Sequence, residues 1–256
     1  MWEEGWDSTR VEGDSTTVEC NKVSALRESI ILETDMSGVA ASPRRAAWLA
    51  VFSVSMGLLE AAVVVYLREL YYPEGFRFPL VPLPARITAV EVVREATTLF
   101  MLLAVAVVSG RDRVDRFFLF GFMFGVWDLV YYGGLWLFLG WPSSLLEWDV
   151  LFLIPLPWLG PVVYPMSISC LLIGGFVVAE VSERRGRPLR PTNREWLVAI
   201  CGALAIVVAF CWNWKAVSEL RVPDGFPVTL FAGGVVLGVV PFVRAAMRAR
   251  GSVGEA

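Results

Sequence analysis

The sequence contains no histidine among its 256 residues. This absence excludes His-ligated haem, the usual zinc and copper sites, and every catalytic triad that depends on an imidazole. We therefore expect the protein to hold no cofactor. A metal site would have to be built from oxygen ligands, which suit calcium, magnesium or manganese.

Cysteine and lysine are also scarce. The four cysteines have no spacing typical of a metal site, and three of them (Cys170, Cys201 and Cys211) lie in apolar stretches, where a thiol behaves as a small hydrophobic group. No phosphate-binding loop, dinucleotide fingerprint or hydrolase elbow is present, and nothing indicates nucleic-acid binding. Arginine outnumbers lysine by 20 to 2, a bias common in GC-rich bacterial genomes.

Long apolar runs dominate what remains. The chain is 56% hydrophobic and only 18% charged, which is unusual for a soluble domain. Runs of 18 or more apolar residues are long enough to cross a hydrocarbon layer of about 30 Å. The sequence therefore predicts an all-α bundle with six membrane spans, at roughly 46–67, 88–109, 117–139, 161–180, 196–214 and 227–247.

The arginines predict an orientation. Thirteen basic residues flank the spans on one side and five on the other, so the positive-inside rule predicts that both termini are cytoplasmic.

The stretch Leu151–Gly160 is too short to cross alone, and Pro155 and Pro157 break a helix. We interpret it as a re-entrant or interfacial segment on the outer side, before span four. A bacterial inner membrane is the expected location.

An acidic segment precedes the first span. Residues 1–35 carry nine acids and three bases, and the segment lacks the positive start of a signal peptide. We predict two parts, a disordered cytoplasmic tail over residues 1–43 and a six-span domain over residues 44–256. Met36 is an alternative true start, since it is followed by Arg44 and Arg45 directly before the first apolar run.

Five charged residues lie within the first three predicted spans: Glu60, Glu91, Arg94, Glu95 and Asp128. An ionisable group at membrane depth costs roughly 2.5–3.5 kcal/mol on insertion scales, so it usually faces a protein interior or a water-filled cavity. At a rise of 1.5 Å per residue, all four acids lie about 5–13 Å below the outer surface. Three separate spans therefore place carboxylates in one layer.

Neighbouring residues support an inward-facing site. Gly121 and Gly125 form a small-x-x-x-small pattern that lets another helix approach closely, and Asp128 continues the same helical face. Trp127, Tyr132 and Asp149 lie near the same outer region. Aromatic residues there are typical of the membrane interface, but together with the acids they also predict the lining of a binding site.

Several functions fit this layer. The leading hypothesis is a site that binds or transports a cation, a proton or a small polar solute. Two acids could instead serve as general acid and base in a membrane-embedded enzyme acting on a lipid-soluble or periplasmic substrate. The protein could also be a subunit that docks a partner helix. A purely structural alternative is that Arg94 neutralises one or two acids while the others stay protonated and hold the helices together.

Four stretches carry a resemblance to other proteins: Tyr66–Pro73, Glu91–Glu95, Trp127–Tyr132 and Gly140–Pro155. In these stretches the chain resembles a group of uncharacterised bacterial polytopic membrane proteins, over roughly residues 46–180. The resemblance implies a bacterial inner-membrane setting. It implies no catalytic role, because that group has no established activity.

Overall fold

The computed structural model describes residues 43–251, so the predicted acidic tail and the alternative start at Met36 lie outside the described residues. Within that range, seven helices and two short strands follow one another along the chain. They are α1 (Pro43–Tyr71), α2 (Ala85–Ser109), α3 (Arg113–Leu139), β1 (Trp148–Phe152), β2 (Trp158–Pro161), α4 (Val163–Arg184), α5 (Asn193–Cys211), α6 (Trp214–Ser218) and α7 (Val228–Gly251).

The six long helices of this range match the six predicted spans. Each is long and apolar enough to cross a membrane, with α5 and α6 together forming the fifth candidate span. The all-helical prediction is therefore confirmed for the described residues, apart from the two short strands. Sidedness and the location of the termini stay predictions.

Local sequence sets where helices begin and end. α3 begins after Asp112, whose carboxylate accepts hydrogen bonds of 2.9 Å from the backbone N–H groups of Val114 and Asp115. It ends at Gly140, which adopts the left-handed conformation at φ 64°, a conformation that glycine reaches without steric cost. The hydrogen bonds to Asp112 and the turn at Gly140 stabilise the two helix ends, because hydrocarbon cannot solvate the free N–H and C=O groups of a helix end.

The proline-containing segment before α4 folds as an antiparallel β-hairpin, which the sequence analysis did not predict. Trp148 pairs with Pro161, and Val150 pairs with Leu159. Pro155 lies in the turn, where its missing N–H is not needed for strand pairing. The second strand packs against α4 and α5. Strand pairing thus satisfies part of the hairpin backbone.

Glycines mark the closest helix contacts. The most extensive packing joins α1 to α3, α3 to α4, and α5 to α7, whereas α2 packs mainly against α3. At Gly125, a Cβ would lie 2.6 Å from the backbone oxygen of Ser169 on α4, so the close approach predicted for this pattern is confirmed. At Gly202 on α5, a Cβ would lie 2.6 Å from the backbone oxygen of Gly234 on α7.

We expect Gly202→Ala to destabilise the protein because the added methyl group would meet α7 backbone, which cannot rotate away. Overpacking of this kind costs about 1–3 kcal/mol. The control is Gly233→Ala, since a Cβ at Gly233 meets nothing within 4 Å and alanine is the better helix former. Thermal unfolding in detergent should show a lower Tm for Gly202→Ala alone. Equal Tm values for the two variants would contradict the proposed crossing point.

Candidate functional site

A cavity of about 320 Å³ lies between α1, α2, α3, the hairpin and the first part of α4. The segment between α1 and α2 covers one side of it, and α5 and α6 contribute apolar side chains. Its lining includes all eight residues that the sequence analysis named as site candidates: Glu60, Glu91, Arg94, Glu95, Trp127, Asp128, Tyr132 and Asp149. The carboxylate layer predicted from helix depth is therefore located around one cavity.

Arg94 is held by acids from two helices. It donates from Nε and Nη2 to Glu91 Oε2, at 3.0 and 2.7 Å, one helical turn earlier on α2. It also forms an ion pair with Glu60 of α1. The other oxygen of Glu60 accepts a hydrogen bond from the hydroxyl of Thr98 at 3.1 Å. This network ties α1 to α2 and balances one arginine against two acids.

A second ion pair joins the end of α1 to the hairpin. Arg68 Nη2 donates to Asp149 Oδ1 at 2.9 Å, and the two side chains are only 7% and 2% exposed. The guanidinium also lies over the rings of Phe76 and Trp141, at 4.2 and 3.7 Å from their centroids, in cation–π geometry. The hydroxyl of Tyr132 donates to the other oxygen of Asp149 at 3.3 Å. Burial raises the pKa of the Asp149 carboxyl, and the Arg68 charge opposes that rise.

Arg68 is buried in α1, although the first span predicted from the sequence ends one residue before it. The apolar run ends at Leu67, but α1 continues to Tyr71, and Arg68 is buried in its last turn. A signal was present in the sequence: Glu60, Val64 and Arg68 are four residues apart and so share one helix face. Asp149, which lies between the third and fourth predicted spans, belongs to β1.

Glu95 and Asp128 differ from the other acids of the cavity. Glu95 accepts a hydrogen bond of 2.7 Å from the backbone N–H of Leu153 in the hairpin. Asp128 accepts one of 2.7 Å from the hydroxyl of Ser169 on α4. Both side chains are buried, yet across residues 44–250 neither forms an ion pair. The cavity therefore has two carboxyl groups whose only described hydrogen-bond donors are neutral.

Aromatic side chains form a continuous part of the lining, here called the aromatic wall. Trp127 contacts Phe152 with ring centroids 6.2 Å apart, Phe152 contacts Trp158 at 5.4 Å, and Trp158 stacks on Phe210 at 5.8 Å. All four rings line the cavity. The indole N–H groups of Trp127 and Trp158 are buried, with no acceptor among the residues that the structure describes. The site thus combines a charged wall with a continuous aromatic one.

The opposite end of the bundle contains a separate charge network. Arg45 donates to both oxygens of Asp115, at 2.9 and 3.2 Å, and Arg111 donates to the same acid at 3.1 Å. Glu180 of α4 pairs with Arg184 and is itself buried. Embedded charge is therefore not confined to the first three spans. Between the two polar regions lies an apolar core that includes Leu102, Leu119 and Met123.

The geometry defines a class. The described residues contain six helices long and apolar enough to span a membrane, which indicates a multi-pass membrane protein, and charged side chains form part of the lining of a cavity between them. Comparison of the chain with protein-family models, curated proteins and solved structures finds no match. Within the described range no three His, Cys, Asp or Glu side chains group as metal ligands. That the protein holds no cofactor stays a prediction.

We expect the Arg68–Asp149 pair to behave as one unit in a double-mutant cycle. Arg68→Gln and Asp149→Asn should each cost about 3–5 kcal/mol of unfolding free energy, because each leaves a buried partner without its counterpart. The double variant should lose less than the sum of the two. Denaturant unfolding in detergent gives the unfolding free energies of the wild type, the two single variants and the double variant.

The matched control is the exposed pair Arg77 and Glu74, whose side chains are 72% and 80% exposed. Arg77→Gln and Glu74→Gln should each change the unfolding free energy by about 0–1 kcal/mol. Additive losses at Arg68 and Asp149, or losses no larger than those of the exposed pair, would show that the buried pair does not hold the hairpin.

Proposed function

We propose that this multi-pass membrane protein binds a small cationic solute in the cavity, with Glu95 and Asp128 as the groups that receive its charge. The observation that carries the proposal is that both arginines of the cavity wall are already paired, Arg94 with Glu60 and Glu91 and Arg68 with Asp149. Glu95 and Asp128 are left without a cationic partner in residues 44–250. Of the cation, proton and polar solute considered from the sequence, the cation fits this arrangement best.

The cavity itself favours binding over a purely structural network. Protein interiors are packed to the density of organic crystals, so a network that only holds helices together needs no open space. Here about 320 Å³ lies against the two unpaired carboxyl groups, within the usual size range of small-molecule sites. The acids are buried rather than set in an exterior groove, which also favours a solute over a docked partner helix.

The apolar core at Leu102, Leu119 and Met123 and the ion pairs of Arg45 separate the cavity from the other end of the bundle. We therefore propose binding from one membrane side, and transport requires these contacts to separate. The alternative, a membrane-embedded enzyme, uses the same cavity and the same two acids. Chemical conversion of a bound solute distinguishes the enzyme from the binding protein.

The proposal includes the orientation of the bundle in the membrane. The arginine-rich segments assigned to one side contact one another through Arg45–Asp115 and Arg190–Asp112, at the end of the bundle away from the cavity. We propose that this end is cytoplasmic, that both termini are cytoplasmic, and that the cavity faces outward in a bacterial inner membrane. The bilayer is then the surrounding partner.

Reporter fusions test this orientation. Green fluorescent protein joined after Arg250 should fluoresce, and alkaline phosphatase joined there should be inactive, because the C-terminus is expected in the cytoplasm. Phosphatase inserted after Gly75, in the segment that covers the cavity, should be active. The opposite pattern at either position would place the cavity on the cytoplasmic side.

A titration of cations tests the binding site. Protein in lipid nanodiscs is titrated with sodium, methylammonium and phenethylammonium chlorides at constant ionic strength. We expect a saturable quenching of tryptophan fluorescence that depends on the cation and not on the shared chloride. At least one cation should bind, and Glu95→Gln and Asp128→Asn should each weaken its binding about 30-fold or more, since losing one partner of a buried charge pair costs about 2 kcal/mol or more.

The matched control is Glu69→Gln, because Glu69 lies on α1 close to Glu60 in sequence but its side chain is exposed. This variant should bind as the wild type does. If no cation of the panel binds folded wild-type protein, or if binding is the same in Glu95→Gln and Asp128→Asn as in Glu69→Gln, the proposal is wrong.

A further inference from the structure

We infer that the solute is an amphipathic organic amine, in which one ammonium group is joined to an apolar body the size of a single aromatic ring. This inference rests on the proposed function and names the chemical class of its ligand. Three features of the cavity carry it: where the unpaired acids lie, what lines the remaining wall, and how much space there is.

Each unpaired acid is connected to a residue next in sequence to a ring of the aromatic wall, or is itself such a residue. Glu95 accepts its hydrogen bond from the N–H of Leu153, the residue that follows Phe152 of the aromatic wall. Asp128 follows Trp127, the first ring of the same wall. An ammonium group bound to either carboxylate would lie in a cavity that these rings also line, and aromatic faces attract cations. The body of the molecule would extend along the rings.

The lining is unsuitable for a bare inorganic ion. Calcium takes six to eight oxygen ligands, and magnesium requires six in near-ideal geometry. The lining of this cavity instead combines a few polar groups with many rings and aliphatic side chains such as Ile168 and Ile206. These apolar groups cannot replace a hydration shell, but they do favour burial of an apolar solute.

Two hydrogen-bond donors on residues that line the cavity also lack acceptors. Trp127 is 5% exposed, and its indole nitrogen has no acceptor among the described residues, nor does Nη1 of Arg68. A buried donor without an acceptor is costly and rare in native proteins. These donors are independent of the acids, and they lie on residues that line the same cavity. These donors need acceptors, which an ammonium group does not supply, so an occupant that also carries an acceptor atom would pair with them.

The space limits the size of the molecule. A cavity of about 320 Å³ is at the small end of ligand pockets, which range from about 300 to 1,000 Å³. It accommodates a single-ring amine and excludes a lipid with two acyl chains. Phenethylammonium is therefore the probe, because it carries both an ammonium group and a single ring. Methylammonium has the charge without the ring, 2-phenylethanol has the ring without the charge, and sodium is a bare cation.

Isothermal titration calorimetry of the protein in lipid nanodiscs tests the inference. Phenethylammonium should bind at least tenfold more tightly than methylammonium, which lacks the ring, and than 2-phenylethanol, which lacks the charge. Sodium should not compete. Glu95→Gln should remove the advantage over 2-phenylethanol, and Trp158→Leu should reduce the advantage over methylammonium at least threefold.

The control for the ring is Trp212→Leu, because Trp212 is 62% exposed and lies outside the cavity lining; it should bind as the wild type does. If Trp158→Leu does not give a monodisperse, helical protein, Phe152→Leu replaces it as the wall variant. Each variant is used only when its circular dichroism spectrum matches the wild type.

The other outcomes separate the two proposals. If sodium or methylammonium binds as tightly as phenethylammonium and depends on Glu95, the cation site stands and the organic class is wrong. If 2-phenylethanol binds equally well and Glu95→Gln has no effect, the cavity is only an apolar pocket, and both proposals are wrong. Both are also wrong if none of the four probes binds folded protein.

Discussion

The buried ion pair between Arg68 and Asp149 joins the end of α1 to the hairpin, and the form of the cavity depends on it. The hairpin brings Leu153 to Glu95 and Trp158 to the aromatic wall. Neither charge is tolerated alone at this depth, because a buried ion without its partner costs several kcal/mol. The pair therefore couples two distant parts of the chain, 81 residues apart, into one wall.

Much of the fold could be predicted from the sequence, because apolar runs of membrane length have few alternatives to a helix. The grouping of Glu60, Glu95 and Asp128 around one cavity was also predictable, since depth along a helix follows directly from residue number. The hairpin was not. Strands of four or five residues give a weak periodic signal, and pairing between β1 and β2 depends on tertiary contacts with α4 and α5. Arg68 was missed because the apolar run stops one residue before it, whereas the helix does not.

The two ends of the bundle show that buried charge alone does not mark a site. At the end with Arg45, each acid has an arginine partner, Asp115 with Arg45 and Arg111 and Glu180 with Arg184, and the space beside them is about 30 Å³, roughly that of a water molecule. At the cavity end, acids outnumber arginines and the space is about ten times larger. The same residue types are thus fully paired at one end, whereas at the other end some acids have no arginine partner. The excess of acids over arginines, rather than the presence of buried charge, distinguishes the cavity.

The position of α2 at the edge of the bundle has a consequence for how its sequence can change over evolution. Its inner face carries Glu91, Glu95 and Thr98, which are buried, while Val93 and Val108 on its outer face are exposed. Lipid accepts almost any apolar side chain, so substitutions on the outer face are close to neutral as long as they stay apolar. The inner face has no such freedom. Homologous chains should therefore show a variable stripe and a constant stripe along this one helix, alternating with a period of 3.6 residues.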